Sequence, residues 1–541
     1  MSNHTSASTA SSSSGDVKQK QPNSADTSPD VIRRWIRALP LADQRATIQL
    51  TTDALRALNS AEMTINQRAR ALALFSPLIN TLIKRIAQYY EHSRRPFTAN
   101  KRDHFDNIQA MLNEAVNGYL IIINESPFPS PLRTHGSEQT RHNERRVPAG
   151  SDTHHLCCAL YQAIEHLSQR LLHSYLVYTA PAANVWAEIH RLYYIAETYN
   201  IPATPFSFGF NAEAKQGKAL SIERTYKRTL LFSLANPFHL MPHEMTRAYQ
   251  SLRSWAQQCK IIRSDSPEKL QGRFYIDLES DRPPTHHSLN RLDLELPSLR
   301  LLDIAKILPT EKYQRALDQR LAQALIIRPE RLTKRTKTDA EITIANGLST
   351  CHHHISSENN TNNITNPRNP IEIKIDSPAA ANTFSARQKD SSLGGIALRY
   401  NDATQYLPTG ALITYRPTID TLSDGWNIGT VKWSRNNLDK GYDLGIQCLA
   451  EDGTAVMCRA LDEKDNQREL HPALLTPYTD PFTHPTTLLT PINQFQLGDK
   501  LEVHIENEQF NVELIHLIDT TWAYAHYRFN IISKPIANPA H

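Results

Sequence analysis

Asp390-Ser391-Ser392-Leu393-Gly394-Gly395-Ile396-Ala397-Leu398 reads as a polar turn, two glycines, and then a strand that puts Ile396, Leu398 and Tyr400 on one face. Glycine lets a backbone approach a ligand closely and adopt dihedrals that other residues avoid. Asp390 and Ser392 add a carboxylate acceptor and a hydroxyl at the same turn. Downstream the period stays near two. Short apolar strands recur at 395–400, 411–415, 426–433, 442–449 and 455–461, separated by Pro408-Thr409-Gly410, Ser423-Asp424-Gly425, Asp439-Lys440-Gly441 and Glu451-Asp452-Gly453. Evenly spaced short strands predict a closed barrel, which leaves no exposed edge. The apolar face changes phase near Gly429, as a bulge at a barrel corner would cause.

Upstream the period is helical. Ile32, Trp35, Ile36 and Leu39 follow a start signal at Ser28-Pro29-Asp30. Leu72, Phe75, Ile79, Leu82 and Ile86 form a second apolar stripe, Phe105, Ile108, Leu112 and Tyr119 a third, and Leu160, Ile164, Leu167 and Leu171 a fourth. Trp186, Ile189, His190 and Tyr193 have the spacing of a tetratricopeptide helix, with histidine where glycine belongs and no 34-residue recurrence, so an irregular helical bundle is expected instead.

The expected architecture is multidomain α + β. A disordered tail, 1–27, precedes an all-helical domain, 28–265, and a linker strand and helix, 266–327. A β-barrel, 328–480, carries a disordered insert at 356–386, and a small C-terminal β extension follows at 481–535.

Between the helices and the strands lies Arg331-Leu332-Thr333-Lys334-Arg335. Taken in order, this R-x-x-x-R and the D-x-S-x-x-G of Asp390–Gly395 resemble the two halves of the PilZ-domain signature. Gly347-Leu348-Ser349-Thr350-Cys351-His352-His353 and Ile428-Gly429-Thr430-Val431-Lys432-Trp433 also resemble a long bacterial PilZ subgroup with a helical amino-terminal region. The resemblance implies a small β-barrel that binds cyclic di-GMP. It assigns Arg331 and Arg335 to guanine and phosphate, with Asp390, Ser392 and Gly395 as the opposing corner and Asp390 accepting from a guanine N–H edge. Arg328 and Arg387 are further candidates for ligand contact. The chemistry suits arginine, whose planar cation stacks on a purine and donates two parallel hydrogen bonds. Guanine O6 and N7 form the matching acceptor pair. On this reading the guanidinium groups and the acid face each other across a gap sized for a purine, and ordering of 328–335 docks the helical domain. Members of the family adjust motility, pili or exopolysaccharide, so attachment or type IV pilus function, exerted through a protein partner, is the implied output. The alternative is a protein-interaction scaffold whose barrel binds no nucleotide.

Other classes find little support. With 59 Lys and Arg against 55 Asp and Glu, the net charge of +4 is far from the concentrated basic field of a general nucleic-acid binder. The six cysteines show no C-x-x-C spacing, so free thiols in a reducing compartment are expected. No signal peptide or membrane span is read, and a cytoplasmic location follows, with recruitment to the inner membrane or cell pole by a partner left open. On a strand, His352 and His354 would face one side and could meet a metal, but no second ligand pair lies at a suitable spacing. His243-Glu244 lacks the second histidine of H-E-x-x-H, and Walker A, G-x-S-x-G, G-G-D-E-F and E-A-L motifs are missing. No enzyme, catalytic residue, metal or cofactor is therefore expected, only a nucleotide ligand.

Overall fold

The computed structural model describes residues 28–92, 98–126, 151–204, 220–263, 274–285, 298–307, 312–326, 334–362, 383–392, 394–401, 407–418, 425–437, 441–451, 453–461, 469–476, 486–505 and 508–537. The first body is built from α1 (Pro29–Arg37), α2 (Gln44–Ser60), α3 (Ile65–His92), α4 (Ala99–Glu125), α5 (Ser151–Leu176), α6 (Val185–Thr198), α7 (Ile222–Leu234) and α8 (Pro242–Trp255). The apolar stripes read from the sequence are its core: Leu72, Phe75, Ile108, Leu112, Ile164 and Ile189 are all buried. Side-chain oxygens open α2 and α4. Asp43 accepts from Ala46 N at 3.0 Å and Thr98 from Lys101 N at 3.3 Å. At α1 the cap is backbone instead: the Ser28 carbonyl accepts from Val31 and Ile32 at 3.1 and 3.2 Å. His190 earns its place where a repeat helix would need glycine. Its Nδ1 meets the Tyr226 hydroxyl at 2.7 Å and its Nε2 the Arg282 carbonyl at 2.9 Å, fastening α6 to α7 and to the strand region beyond.

The segment expected as a linker belongs to this body. Strands β1 (Lys260–Arg263), β2 (Phe274–Asp277) and β3 (Leu299–Asp303) form an antiparallel sheet in the order β1-β3-β2, followed by α9 (Ala316–Ile326). Phe274, Ile276, Leu302 and Leu321 join the helical core, so the apolar faces that suggested a strand and a helix are spent on the first domain. Arg300, nearly buried on β3, grips Glu197 of α6 from Nε at 3.0 Å and Nη2 at 2.6 Å.

Next come β4 (Thr336–Lys337), β5 (Glu341–Asn346), α10 (Leu348–Asn362), β6 (Thr383–Ser392), β7 (Gly395–Tyr400), β8 (Leu412–Pro417), β9 (Asn427–Asn437) and β10 (Gly441–Ala450). The sheet runs β4-β6-β5-β8-β9-β10-β7, and β7 pairs back onto β6 to close a barrel around Ile344, Leu398, Ile413, Val431 and Leu444. The expected phase change resolves into two irregularities. Lys432 is the extra residue on β9 and Leu449 the extra residue on β10, flanking Gly429.

The C-terminal part is more than an extension. Strands β11 (Thr454–Ala460), β12 (His471–Thr476), β13 (Thr487–Thr490), β14 (Lys500–Ile505), β15 (Glu508–Thr520) and β16 (Ala525–Ala537) close a second barrel in the order β11-β12-β13-β16-β15-β14. Residues 455–461, read as part of the first barrel, therefore belong to the second, where Val456 and Cys458 pack with Leu501, Val503 and Val512.

The Cys351-His352-His353-His354 run is helical, not a strand end, because Leu348, Cys351 and Ile355 at helical spacing fill a seam against Leu412, Ile428, Leu474 and Tyr524. Two positions apart on a helix, His352 and His354 diverge by about 200°, which removes the geometry for a shared metal. Among the described residues no group of three or more His, Cys, Asp or Glu is placed to hold one.

The described contacts that join the first body to the first barrel run through β9 and the 408–410 turn. Asn436 N donates to the Tyr178 carbonyl at 2.7 Å, and the Thr409 hydroxyl donates to the Phe238 carbonyl at 3.4 Å. The Thr409 carbonyl in turn accepts from Trp522 Nε1 of the second barrel at 2.9 Å. These contacts lie outside the 328–335 tract from which docking was expected.

Candidate ligand-binding site

Strand β4 pairs antiparallel with the end of β6, Thr336 opposite Ser391 and Lys337 opposite Asp390, and this delivers Arg335 to the barrel wall. On the other edge of β6 a bulge at Lys389 sets Asp390 opposite Ala397. Since Ile396 and Leu398 point into the core, Asp390 faces outward. The result unites two residues 55 positions apart: Arg335 Nη1 lies 2.9 Å from Asp390 Oδ1 and 3.2 Å from Oδ2. Their side chains are 39% and 25% exposed.

Two expectations change here. Asp390 and Ser392 stand on a strand rather than in the turn, since β6 extends to Ser392. The gap also differs. A purine between two planes needs roughly 7 Å, two contacts of about 3.5 Å each, whereas this acid and guanidinium touch. Arg328 and Arg331 lie outside the described residues.

Ser392, the last residue of β6, and Gly395, the first of β7, bracket the turn. The Ser392 hydroxyl donates to the Gly395 carbonyl at 3.2 Å. Gly395 has φ +149°, and a Cβ there would sit 1.9 Å from the Ile446 carbonyl oxygen of β10. Nothing lies within 4 Å of a Cβ at Gly394. The demand for glycine at 395 thus comes from the close crossing of β10. Gly395→Ala should cost about 2–3 kcal/mol of barrel stability by backbone strain and overlap, while Gly394→Ala is nearly neutral. Urea unfolding of the two variants checks this, and equal midpoints would refute it.

Around this corner the outer wall carries a cluster that no contiguous motif announces. Register sets Arg387 opposite Arg399, Arg399 opposite Asp443, and Asp443 opposite Arg435. Asp443 accepts from Arg399 Nε at 2.7 Å and Nη2 at 3.0 Å, from Lys389 Nζ at 3.0 Å and from Asn437 Nδ2 at 2.8 Å. Burial alone would raise its carboxyl, but the hydrogen bonds from Arg399, Lys389 and Asn437 hold it below the ordinary aspartate value. Arg387 lies 3.5 Å from Asp339 in an exposed pair. Lys389 and Arg399 therefore clamp the carboxylate of Asp443, and Arg387, opposite Arg399 in register, pairs with Asp339 at the edge of the same outer wall. The signal was the outward parity of 387, 399 and 443, which needs strand register to be seen.

A helical body followed by two closed barrels, the first with an arginine–aspartate corner on its outer wall, defines a multidomain binding protein. Residues 30–266 match the family described as "Cyclic-di-GMP receptor FimW, N-terminal domain", and residues 456–532 match "FimW C-terminal beta-barrel domain". A protein of Pseudomonas aeruginosa named "Cyclic-di-GMP receptor FimW" is 21% identical over an alignment spanning 95% of this chain and 92% of that relative. The chain belongs to the FimW family. Among the described residues no helix is long and apolar enough to cross a membrane.

Proposed function

We propose that this chain is a cyclic di-GMP receptor, that its first barrel is of the PilZ type, and that it catalyses no reaction. The observation that carries the reading is the meeting of Arg335 and Asp390 at 2.9 Å beside Ser392 and Gly395. These are the two halves of one signature, folded onto one corner. The name of the Pseudomonas aeruginosa relative supports the same ligand.

In this mechanism Arg335 leaves Asp390 and turns its plane onto a guanine or a phosphate, joined by Arg331 and Arg328. Asp390, released, accepts from the guanine N–H edge. Ser392 and the backbone at Gly395 border the base. The opening is inexpensive, because an ion pair this exposed contributes only about 0–1 kcal/mol. Each charge-assisted bond to the ligand contributes ~1.5–3 kcal/mol. A few such bonds plus stacking reach micromolar affinity, about −8 kcal/mol. The bound segment 328–335 then presents a surface for a protein partner in the cytoplasm, through which motility or attachment is adjusted. The domain limits that serve this reading are a helical body through about residue 326, a ligand barrel from about 334 to 450 and a second barrel from about 454 to 537.

Isothermal titration of the full chain with cyclic di-GMP tests the proposal. Saturable micromolar binding is expected, and no heat of binding from the folded chain would end it. The rival is a scaffold with a silent barrel, in which the Arg335–Asp390 pair stays closed. A partner pull-down indifferent to cyclic di-GMP would support that rival.

A further inference from the structure

In the second barrel, β16 outruns its neighbour on one side. β13 covers it only from Ala525 to Arg528, where Thr487 stands opposite Arg528. From there β16 runs on to Ala537, and among the described residues its only partner is β15. Thr486, which would carry β13 past Arg528, is exposed and lies outside any strand. The residue before it in sequence, Pro485, has no N–H to give a ladder. On β16, Asn530, Ile531 and Ile532 are exposed one after another, the two isoleucines at 62% and 46%. Successive strand residues point to opposite faces, so β16 is bare here on both faces as well as along its outer edge. We infer that this edge pairs antiparallel with the same edge of a second copy, joining two chains as a dimer.

Three observations select that occupant. An edge strand presents a row of unmatched N–H and C=O groups, whose complement is another extended backbone. Charged residues and proline usually block such pairing. Here they stand outside the stretch: Phe529-Asn530-Ile531-Ile532-Ser533 carries no charge, with Arg528 before it and Lys534-Pro535 after it. Second, the stretch complements itself. A two-fold axis at Ile532 sets that residue on its own copy, Ile531 against Ser533 and Asn530 against Lys534, and the ladder ends where Phe529 meets Pro535. No like charges oppose one another in this register, whereas an axis at Ile531 would set Arg528 against Lys534. Third, apolar surface gathers on this barrel. Among the described residues, six of the eight exposed large apolar side chains belong to it: Leu461, Leu497, Ile515, Trp522, Ile531 and Ile532. The Gly498 N–H donates to the Leu514 carbonyl at 2.8 Å, which brings the Leu497 turn beside the Ile515 stretch of β15, the strand next to β16. The ladder is short, and Ile532 is the extra residue of a bulge that adds twist. The contact therefore falls below the roughly 1,200–2,000 Å² of tight complexes, and a micromolar dimer is expected.

The test sediments the full chain, without nucleotide, from about 1 to 100 µM, which brackets a micromolar dissociation constant. A concentration-dependent shift from monomer to dimer is expected. Ile531→Lys with Ile532→Lys places like charges at the axis and should weaken association at least tenfold, while both positions are exposed, so the unfolding temperature should stay near that of the parent. Ile532→Cys gives an independent readout. Opposed residues of an antiparallel pair have Cα atoms about 4.5–5.5 Å apart, within disulfide reach. Mild oxidation should therefore link Ile532→Cys chains in pairs, and should not link chains carrying Leu41→Cys, an exposed position in the helical body. A chain that stays monomeric throughout would leave the edge to a strand of another protein and overturn the inference. So would a dimer undiminished in the double lysine variant, or linkage through Ile532→Cys no greater than through Leu41→Cys. None of these outcomes bears on cyclic di-GMP binding at the first barrel.

Discussion

Cyclic di-GMP affinity should fall about 100-fold in Arg335→Ala, roughly 2.8 kcal/mol, while the unfolding midpoint stays within experimental error. The asymmetry follows from exposure. In the free protein the guanidinium partners Asp390, and at 39% and 25% side-chain exposure that pair contributes little to stability. In the complex the same group would supply two charge-assisted bonds or a stack. Asp390 separates the two roles further. Asp390→Asn keeps an acceptor for the guanine edge and removes the charge that holds Arg335, so affinity should change less than about threefold. Asp390→Ala removes the acceptor and should lose about tenfold. Calorimetric titration of the three variants decides. Undiminished binding in Arg335→Ala, or Asp390→Asn as weak as Asp390→Ala, would show that the corner does not hold the ligand in this way.

Much of this corner was legible because a helix-to-strand change of period bracketed two short motifs, and Arg335 and Asp390 do meet. What the motifs could not convey was the state of the pair, since whether a cation and an acid touch or stand apart depends on β4 pairing with β6. The helical body was legible at Leu72, Phe75, Ile79 and Leu82, where about three turns of apolar spacing leave no other period. Three features were not. The α10 helix hides behind three histidines and a polar tract, and only Leu348, Cys351 and Ile355 betray it. In the second barrel, β12 contains Pro472, which argues against a strand, and β13 has only four residues, Thr487–Thr490. Alternation identifies strands but not their neighbours, so 455–461 was grouped with the strands before it although its partners are β12 and β14. The cluster around Asp443 is invisible for the same reason, being assembled across β6, β7, β9 and β10.

Acid should destabilise the helical body well above the range in which carboxylates protonate. His166 and His173 of α5 are 1% and 0% exposed, and all four ring nitrogens lack a hydrogen-bond partner among the described residues. His166 stacks on Tyr119 and His173 meets the edge of Tyr90, so both rings sit where a proton would be an unpaired buried charge. Burial lowers His166 to about 4 and His173 to about 3. In the unfolded chain both titrate near 6.5. Because the folded values are depressed, the unfolded chain binds more protons between pH 6.5 and the folded values. The stability from keeping these rings neutral is therefore complete above pH 6.5 and is lost as pH falls. At pH 5 each has lost about 2 kcal/mol, ~4 kcal/mol together. Glu165, held below the usual carboxylate range, loses its contribution only under more acid conditions and leaves this window to the histidines. His166→Phe with His173→Phe keeps a ring in each place and removes the titrating nitrogens. Removing four unsatisfied polar atoms offsets part of any overpacking, so stability at pH 7.5 should change modestly, while the fall between pH 7 and pH 5 should shrink by most of that ~4 kcal/mol. Urea unfolding followed by helical circular dichroism at each pH measures the difference. A double variant that keeps the full pH dependence of the parent would place the acid sensitivity elsewhere, at His239 beside the first barrel or His526 in the second, both also lowered to about 4 by burial.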